Sequence, residues 1–387
     1  MNRTLDVSID QTTWPQNTAP QALVGLQGQQ NINIASFLLM IGYCTVPAHA
    51  ARHSINSLWA WVRYFGALSG DADFRLNTDF ASLDPHQKTI LSDDFGMGMS
   101  LHLLAGSLNL RGFCDGKYFV DRLSTRTTNT TKGKKRGPRK SPDFVAVDVK
   151  GQFHVIECKG TQSGSQYGAH QVQTGVPQKN AIQFATSIKG QSLVTGFQIG
   201  TARNHQSNFT IIDPEPDGVK LTIKEDSVPD ARETLARGKL AKCLLLAGAP
   251  NLGRLMAAPF NDNPTATEQS VKKHDIDLVE ALRGAAREEA VFIQNQKERV
   301  SREISLDLPF SVEVNGELFR RISIRTEINL SGLATWIATA VDGASSIDWL
   351  SEHTQELASG RLFTESHGKS AEIFDGDLFW SRLDPVA

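Results

Sequence analysis

The sequence predicts an α/β protein in which helices cover both faces of a central sheet. Residues 141–149 and 153–160 are two short runs rich in Val, Ile and Phe, and Gly151 lies in the segment between them. Such runs predict two paired strands, and a glycine at the reversal is typical of a tight turn. Both faces of these strands are mostly apolar, and strands of that kind are usually buried between helices.

The first part of the chain, residues 1–89, is predicted to be an N-terminal arm followed by a helical region. Residues 1–30 are polar and contain several Gln, Asn and Thr, so we expect a loosely ordered arm there. From 31 to about 70, apolar residues such as Ile34 and Phe37 recur at three- and four-residue steps. That spacing predicts helices.

A further helix and a first strand are expected before the central pair. Ser92 or Asp93 can cap a helix that extends to about Leu108, because either side chain can accept a hydrogen bond from a free backbone amide. Residues 112–125 contain aromatic residues and valine and are expected to form the first strand.

A basic segment lies directly before the central strands. Residues 127–140 are polar, and their positive charges are on Lys132, Lys134, Lys135, Arg136, Arg139 and Lys140. A flexible basic loop suits a polyanionic backbone, and each phosphate that it neutralises would steepen the salt dependence of binding by roughly one unit in log K. The alternative is a solvated loop without a ligand, which runs of charge usually are.

The length of the turn in the predicted hairpin decides which side chains meet. With a two-residue turn, Asp143 would lie opposite Cys158 and would face away from Glu157. With a three-residue turn, Asp143 would lie opposite Lys159, and Glu157 would be diagonal to it on the same face. Two carboxylates and an ammonium would then meet at one end of the sheet, where they could hold a divalent metal.

The pattern Pro-Asp, a strand's length, then Glu-x-Lys resembles the motif of the PD-(D/E)xK nuclease superfamily. It is formed here, as PD-x13-ECK, by Pro142, Asp143, Glu157 and Lys159. The resemblance implies a restriction-endonuclease-like fold, with a mixed central sheet flanked by helices. It also implies that Asp143, Glu157 and the main-chain carbonyl of Cys158 bind Mg²⁺, for which Mn²⁺ can substitute. Lys159 would orient or help to deprotonate the attacking water and stabilise the charge of the transition state.

Three further residues are candidates by the same resemblance. Such nucleases often carry an acidic residue on the helix before the sheet, and Asp94 occupies that place, although Glu is the commoner residue. They often carry Gln or Lys on the helix after the Glu-x-Lys strand, and Gln178 and Lys179 lie near the start of a helix expected over 177–187. The alternatives are a helix-dipole contact for Asp94, a solvated first turn for the other two, and a metal-free salt-bridge cluster for the motif itself.

The nuclease-like core is expected over 90–215, with its last strands at 193–199 and 209–212. The C-terminal region, 216–387, is predicted to be α+β. Its expected elements are a helix over 230–246, a long charged helix or helix pair over 267–302, a hairpin around Asn315-Gly316 over 305–324, and helices over 333–340 and 349–357. Because this region has no catalytic motif, we expect it to bind a protein partner or to form a homo-oligomer.

The composition is that of an ordinary soluble protein. The net charge is −2, so any surface that binds nucleic acid must be local. The four cysteines form no CxxC pair, which indicates a reducing compartment and argues against structural zinc. The N-terminus has no apolar signal segment, and the longest apolar run, 35–43, is far shorter than the ~20 residues of a spanning helix. We therefore expect a cytoplasmic protein with no membrane partner.

Together these observations predict a Mg²⁺-dependent deoxyribonuclease, of the type that serves as the effector of a bacterial antiviral defence or restriction system. The sequence leaves open whether DNA or RNA is cut, and whether cleavage is internal or from an end. Two other interpretations stay open. One is a nuclease-like protein that binds nucleic acid without cutting it, and the other is a structural assembly subunit.

Overall fold

The chain is mixed α/β, as its sequence predicts. The computed structural model describes residues 2–46, 56–126, 141–201, 205–215, 221–257, 284–293, 295, 298–314, 317–331, 333, 337 and 360–386. Within these ranges it contains a seven-stranded mixed sheet, a five-stranded antiparallel sheet and a two-stranded parallel sheet. No helix in the same ranges is both long enough and apolar enough to cross a membrane.

The strands, in chain order, are β1 (Asn2–Ile9), β2 (Gly28–Asn33), β3 (Leu110–Asp115), β4 (Phe144–Asp148), β5 (Phe153–Thr161), β6 (Ile182–Phe184), β7 (Lys189–Gln198), β8 (Asn208–Ile212), β9 (Leu221–Ile223), β10 (Arg299–Val314), β11 (Glu317–Asn329), β12 (Leu362–His367), β13 (Ser370–Asp375) and β14 (Phe379–Val386). The helices are α1 (Gln21–Val24), α2 (Ile34–Cys44), α3 (Asn56–Tyr64), α4 (Pro85–Ser107), α5 (Gly116–Arg126), α6 (Ser165–Lys179), α7 (Val228–Ala247) and α8 (Pro250–Ala257).

The seven-stranded sheet has the order β2-β1-β8-β7-β5-β4-β3. Strands β3, β4 and β5 are antiparallel neighbours, whereas β5 and β7 are parallel. Parallel neighbours need a crossover connection, and α6 provides it here. The strands predicted over 193–199 and 209–212 are confirmed as β7 and β8.

Helices α4 and α6 cover opposite faces of β5, and glycines allow both to approach closely. A Cβ added at Gly160 would lie 1.7 Å from the carbonyl oxygen of Ser92 in α4, and one added at Gly96 would lie 2.9 Å from the Gly160 nitrogen. On the other face, a Cβ added at Gly175 of α6 would lie 3.1 Å from Cγ of Glu157. The predicted covering of both faces by helices is therefore confirmed, and it leaves little space at this strand.

The N-terminal residues form part of the sheet, not the loosely ordered arm that their polarity suggests. Strand β1 lies between β2 and β8, and its side chains Leu5, Val7 and Ile9 are buried. These three residues have the period-two spacing of a strand, which the Thr, Asn and Gln around them obscure. Strands β1 and β2 thus extend the sheet beyond the predicted core of 90–215.

Helix α4 begins earlier than the sequence analysis predicts. Its first residue is Pro85, and the side chain of Asp84 caps it by accepting hydrogen bonds from the His86 and Gln87 amides. Proline is well suited to the first helical position because it has no amide hydrogen to leave unpaired. The predicted start near 92 is therefore wrong, and residues there lie inside the helix.

Two other predicted elements also change. The first strand ends at Asp115, and the aromatic residues that follow it belong to α5, with Phe119 buried. Helix α6 starts at Ser165 and ends at Lys179, whereas the sequence predicts a helix over 177–187. The glycines at 164, 168 and 175 weaken the helical pattern of this segment, because glycine disfavours a helix interior.

The C-terminal region contributes helix α7 and a second sheet. Helix α7 confirms the helix predicted over 230–246, and β10 and β11 form the predicted hairpin, with Val314 paired to Glu317. Residues 284–293 are helical, which confirms the middle of the charged helix predicted over 267–302, whereas its end is extended because β10 begins at Arg299. Its beginning lies outside the described residues, as do nearly all of the helices predicted over 333–340 and 349–357.

Candidate metal centre

The hairpin of β4 and β5 places two carboxylates at one end of the seven-stranded sheet. Phe144 pairs with Ile156, so Asp143, directly before β4, follows in register opposite Glu157. The amide of Gly116 donates a hydrogen bond of 2.8 Å to the Asp143 carbonyl and thereby ties this position to the neighbouring strand β3. The acidic residues that the sequence singles out are therefore side by side.

The turn of the hairpin explains why this register differs from both predicted ones. The Asp148 amide donates to the Gln152 carbonyl at 3.1 Å, which closes a three-residue turn over 149–151. Gly151 has φ of 77°, a left-handed conformation that favours glycine. The turn has the predicted three residues but starts one residue earlier, which moves Asp143 by two positions. A shift of two keeps a side chain on the same face, so Asp143 still shares a face with Glu157.

Asp143 is held in place by the adjacent strand. Its Oδ2 accepts a hydrogen bond of 2.8 Å from the backbone amide of Cys158. Burial raises the pKa of Asp143 to about 6, although the Cys158 amide and the Lys159 charge act in the opposite direction. Asp93 and Asp115 contribute to the rise, so several negative charges surround this carboxylate.

Glu157 is the most unusual group in the centre, because its side chain is 0% exposed. Its Oε1 forms an ion pair of 2.5 Å with Nζ of Lys159, and the charge of this ammonium also acts on the Asp143 carboxylate opposite. Burial and then the Asp143 charge raise the pKa of Glu157 to about 8, although the Lys159 ammonium and the Asp143 backbone amide act in the opposite direction.

The balance of charge is the test of whether the centre suits a divalent metal, because two carboxylates, Asp143 and Glu157, lie beside the one ammonium of Lys159. A buried carboxylate is normally paired and hydrogen-bonded, since removing it from water is costly. Glu157 and Asp143 together offer hard oxygen donors on one face of the sheet, which is the donor type that Mg²⁺ prefers. The residues present therefore fit Mg²⁺.

Lys159 reaches from the same strand to the edge of the centre, with 20% of its side chain exposed. Its Nζ donates a hydrogen bond of 3.0 Å to Oε1 of Gln178, which fixes the ammonium beside Glu157. Burial lowers the pKa of Lys159, but Glu157 and Asp143 outweigh it and raise the pKa above its ordinary value. The ammonium is therefore charged at neutral pH. Gln178 contacts it from the end of α6, not from the start of a helix.

The acidic residue of α4 that acts on the centre is Asp93, not Asp94. Asp94 is buried on another side of the helix, where it accepts a hydrogen bond from the Tyr64 hydroxyl, and burial raises its pKa to about 6. Asp93 is exposed, and its charge acts on both Lys159 and Asp143. Adjacent helical residues point about 100° apart. The resemblance that named Asp94 does not specify which face of α4 meets the sheet, so sequence alone could not decide between the two.

Cys158 takes part through its backbone. Its amide binds Asp143, while its thiol is buried on the α4 face beside Ser100 and Thr195. The Thr195 hydroxyl donates a hydrogen bond of 3.1 Å to the Glu157 carbonyl and lies 2.6 Å from the Ser100 hydroxyl. These contacts fix the backbone from which Glu157 and Cys158 project.

Lys179 is not brought to the centre, although it follows Gln178 directly. Its side chain is fully buried, and its ammonium lies 2.6 Å from Oδ1 of Asp213 and donates to the carbonyls of Ser192 and Pro214. Because neighbouring helical positions face different directions, only one of the two residues can point at Lys159. Lys179 instead joins the end of α6 to the β7–β8 region. The predicted supporting role of Lys179 is therefore wrong.

The predicted basic loop lies outside the described residues. Its positive residues, Lys132, Lys134, Lys135, Arg136, Arg139 and Lys140, all fall between α5 and Asp143. Residue 141 is described again and is two positions from Asp143, so the loop leads directly into the centre.

A second group of possible metal ligands occurs on the hairpin of β12 and β13. Ligand atoms of Glu365, His367 and Glu372 lie within 4.8 Å of one another. His367 is 3.2 Å from Glu365, and Arg382 is 3.1 Å from Glu372, so protein groups already pair with these carboxylates. Glu365 and His367 are also exposed, and exposed acidic groups are common without an ion. This group therefore lacks the excess of buried negative charge that distinguishes the centre at Glu157.

Comparison of the chain with protein-family models, with curated proteins and with solved structures found no match.

Proposed function

We propose that this protein is a Mg²⁺-dependent nuclease of the PD-(D/E)xK type that hydrolyses DNA phosphodiester bonds. The observation that carries the proposal is the pair of carboxylates, Asp143 and the fully buried Glu157, that share the Lys159 ammonium on one face of the sheet. The mixed sheet between two helices is the arrangement that a restriction-endonuclease-like fold would have, which supports the proposal.

Asp143 and Glu157 would hold Mg²⁺, with the Cys158 carbonyl as a further ligand. The bound ion would supply positive charge beside the scissile phosphate and stabilise the leaving 3′ oxygen. Asp93 lies on the exposed side of α4 and adds negative charge near this position. Asp143 needs no rearrangement for this role, since the Cys158 amide already fixes one of its oxygens.

Lys159 would orient the attacking water and stabilise the negative charge that develops on the phosphate. Its raised pKa keeps it protonated at neutral pH, so it acts as a hydrogen-bond donor and a positive charge, not as the base. Gln178 is a positioning residue, because it holds the Lys159 ammonium without reaching the reacting atoms.

The substrate would approach along the edge where the basic segment joins the centre. The six positive residues of 127–140 would contact phosphates, which predicts steep salt dependence of binding. DNA is the proposed substrate, and the effector of a bacterial defence or restriction system is the proposed setting. The C-terminal region would bind a protein partner or a second copy.

The test is cleavage of supercoiled plasmid by the purified protein in Mg²⁺, with Lys159→Met as the variant. We expect cleavage by the wild type and a loss of at least about 100-fold in the variant, the size seen when a transition-state donor is removed. Lys150→Met is the matched control, because Lys150 is exposed on the turn at the other end of the same hairpin. Equal rates for wild type and Lys159→Met would contradict the proposed role. Binding without cleavage would favour the interpretation of a non-cleaving nucleic-acid-binding protein.

A further inference from the structure

A cleft of about 480 Å³ adjoins Lys159 on the face of the sheet that α6 covers in part. Its floor is formed by β5, β7 and β8, and its wall by the first turns of α6. The rim is open to solvent, since Asp10, Ser165 and Gln173 are exposed. A volume of this size is within the range of small-molecule sites, roughly 300–1,000 Å³.

The strand register shows that the polar floor begins at the candidate metal centre. Lys159 pairs with Gly196, and Gly196 pairs with Thr210, so these residues form one row across three strands. The next row consists of Thr161, Gln198 and Asn208. Paired residues share a face of the sheet. The polar residues of the floor therefore continue across β7 and β8 from Lys159, the residue that would face the scissile phosphate.

The side chains of this floor can donate and accept hydrogen bonds without carrying charge. Asn208 uses its Oδ1 to accept from the hydroxyls of Ser8 and Thr210, at 3.2 and 3.0 Å, which directs its amide NH₂ elsewhere. Among the described residues, neither that NH₂ group nor the side-chain amide of Gln198 has a hydrogen-bond partner. Both amides are half-buried, so they are available to a ligand that enters the cleft.

Apolar groups line the part of the cleft nearest Glu157. Val172 and Ile212 pack with Val194 in a small cluster separate from the main core, and Val194 pairs with both Glu157 and Ile212. Helix α6 packs closely on the sheet here because residue 196 is glycine: a Cβ at Gly196 would lie 2.3 Å from Cγ2 of Val172. A Cβ at Gly168 would instead meet Cγ2 of Thr161 at an ordinary contact distance of 3.6 Å. The cleft thus offers neutral amides and hydroxyls beside a small apolar surface.

We infer that this cleft binds the base of an unpaired nucleotide adjoining the scissile phosphate. Asn and Gln amides match the donors and acceptors on base edges, and the apolar end can contact the face of the base. A second phosphate would suit the cleft poorly, since its floor beyond Lys159 is neutral and Asp10 lies at its rim. A base inside a duplex is stacked and paired, so it could enter only after leaving the stack.

This inference rests on the proposed function, because it uses Lys159 to place the scissile phosphate. It adds a substrate class: single-stranded DNA, or DNA with an unpaired nucleotide, should be preferred over intact duplex. Gln198 and Asn208 would be specificity-determining residues.

The test measures binding of a fluorescein-labelled 12-nucleotide single strand, and of its duplex, by anisotropy in EDTA, where no cleavage can occur. We expect the wild type to prefer the single strand by about tenfold or more. Gln198→Met keeps the length of the side chain but removes the amide, and should weaken single-strand binding about five- to tenfold, as loss of a base contact does. Gln166→Met, at an exposed position of α6 outside the cleft, is the control and should bind like the wild type.

A second variant separates cleft occupancy from misfolding. Gly168→Ala adds a methyl group that meets its neighbours at ordinary contact distances, and alanine favours a helix interior. It should therefore keep or raise the melting temperature while it weakens single-strand binding. Weaker binding in a variant that melts no earlier than the wild type supports the cleft.

Cleavage assays in Mg²⁺ on the same two DNAs distinguish failure of this inference from failure of the proposed function. If neither DNA is cut but Gln198→Met still loses single-strand binding, the cleft binds nucleotides and the nuclease proposal is wrong. If both DNAs are bound and cut equally, and Gln198→Met changes neither, the nuclease proposal stands and the inference about the cleft is overturned.

Discussion

Two buried ionic clusters in this protein differ in how their carboxylates are satisfied. In one, Asp375 of β13 lies 2.6 Å from the Lys239 ammonium through Oδ1 and accepts a hydrogen bond from the Tyr43 hydroxyl through Oδ2. In the other, one ammonium, that of Lys159, faces two carboxylates, Glu157 and Asp143. Asp375 and Glu157 are both 0% exposed, so burial does not distinguish them.

The difference indicates which cluster is structural and which is the candidate site. The Asp375 cluster joins the second sheet to α7 and α2, and Lys239 also donates to the Arg111 carbonyl at 2.7 Å. Its charges are paired within the fold. In the Glu157 cluster the Lys159 ammonium serves two carboxylates, so negative charge is in excess, which costs stability unless a cation is bound. A buried charged group that lowers the folding stability of a protein is typical of functional sites.

The largest stability effect is expected from breaking the satisfied cluster. Asp375→Ala leaves the Lys239 ammonium buried without its carboxylate, which should lower the free energy of unfolding by about 3–5 kcal/mol. Urea denaturation followed by circular dichroism measures it. Asp377→Ala, an exposed position two residues later, is the control and should change stability by less than about 0.5 kcal/mol. A loss in Asp375→Ala no greater than in this control would show that the cluster is not structural.

Replacing Glu157 is expected to stabilise metal-free protein, which is the opposite of the effect expected at Asp375. Its pKa rises from 4.5 to about 8 on folding, so between these values the folded state holds a proton that the unfolded state has released. Stability contributed by this group therefore falls as pH increases from about 5 to about 8. Glu157→Gln removes that loss and still offers an acceptor to Lys159, so it should stabilise metal-free protein at pH 8 by on the order of a few kcal/mol.

The control for this variant is the pH itself. Near pH 3.5, about one unit below the unfolded pKa, the carboxyl is mostly protonated in both states, so wild type and Glu157→Gln should unfold at similar urea concentrations in EDTA. A variant that is less stable than the wild type at pH 8 would show that Glu157 is satisfied within the protein, like Asp375.

A smaller effect should separate the two adjacent acids of α4. Asp93→Asn removes a charge that acts on Asp143 and should weaken Mg²⁺ binding about three- to tenfold, consistent with about 1 kcal/mol for a charge at some distance. Asp94→Asn changes a buried group that faces Tyr64 and should leave Mg²⁺ affinity within about twofold. Calorimetric titration of Mg²⁺ into both variants measures these affinities. A larger loss of affinity in Asp94→Asn than in Asp93→Asn would identify Asp94 as the α4 residue that acts on the centre.

The hairpin and its acidic residues were predictable because both depend on local pattern. Val, Ile and Phe runs on each side of Gly151 predict the strands, and alternation fixes which residues share a face. The prediction that Asp143 and Glu157 share a face holds although the turn starts one residue earlier than predicted. A shift of two positions keeps a side chain on the same face of the sheet.

Features that depend on helix phase or on distant partners were not predictable. Asp94 was named from its place in the resemblance, which does not specify the face of α4 that meets the sheet, and the wrong start of α6 left Lys179 equivalent to Gln178. Strand β1 was hidden because its polar residues face the cleft side of the sheet, where Ser8 binds Asn208. The cleft forms only where three strands and a helix come together, and no local sequence pattern predicts that arrangement.

The most direct test of the account is calorimetric titration of Mg²⁺ into metal-free protein at pH 8. The wild type should bind Mg²⁺ in a manner that depends on Glu157 and Asp143, so Glu157→Gln and Asp143→Asn should each weaken binding at least about tenfold. Lys150→Met, on the turn of the same hairpin, should bind like the wild type. If wild type and Glu157→Gln take up Mg²⁺ equally, or if the wild type takes up none at millimolar concentration, Glu157 is not a metal ligand and the assignment of this centre is wrong.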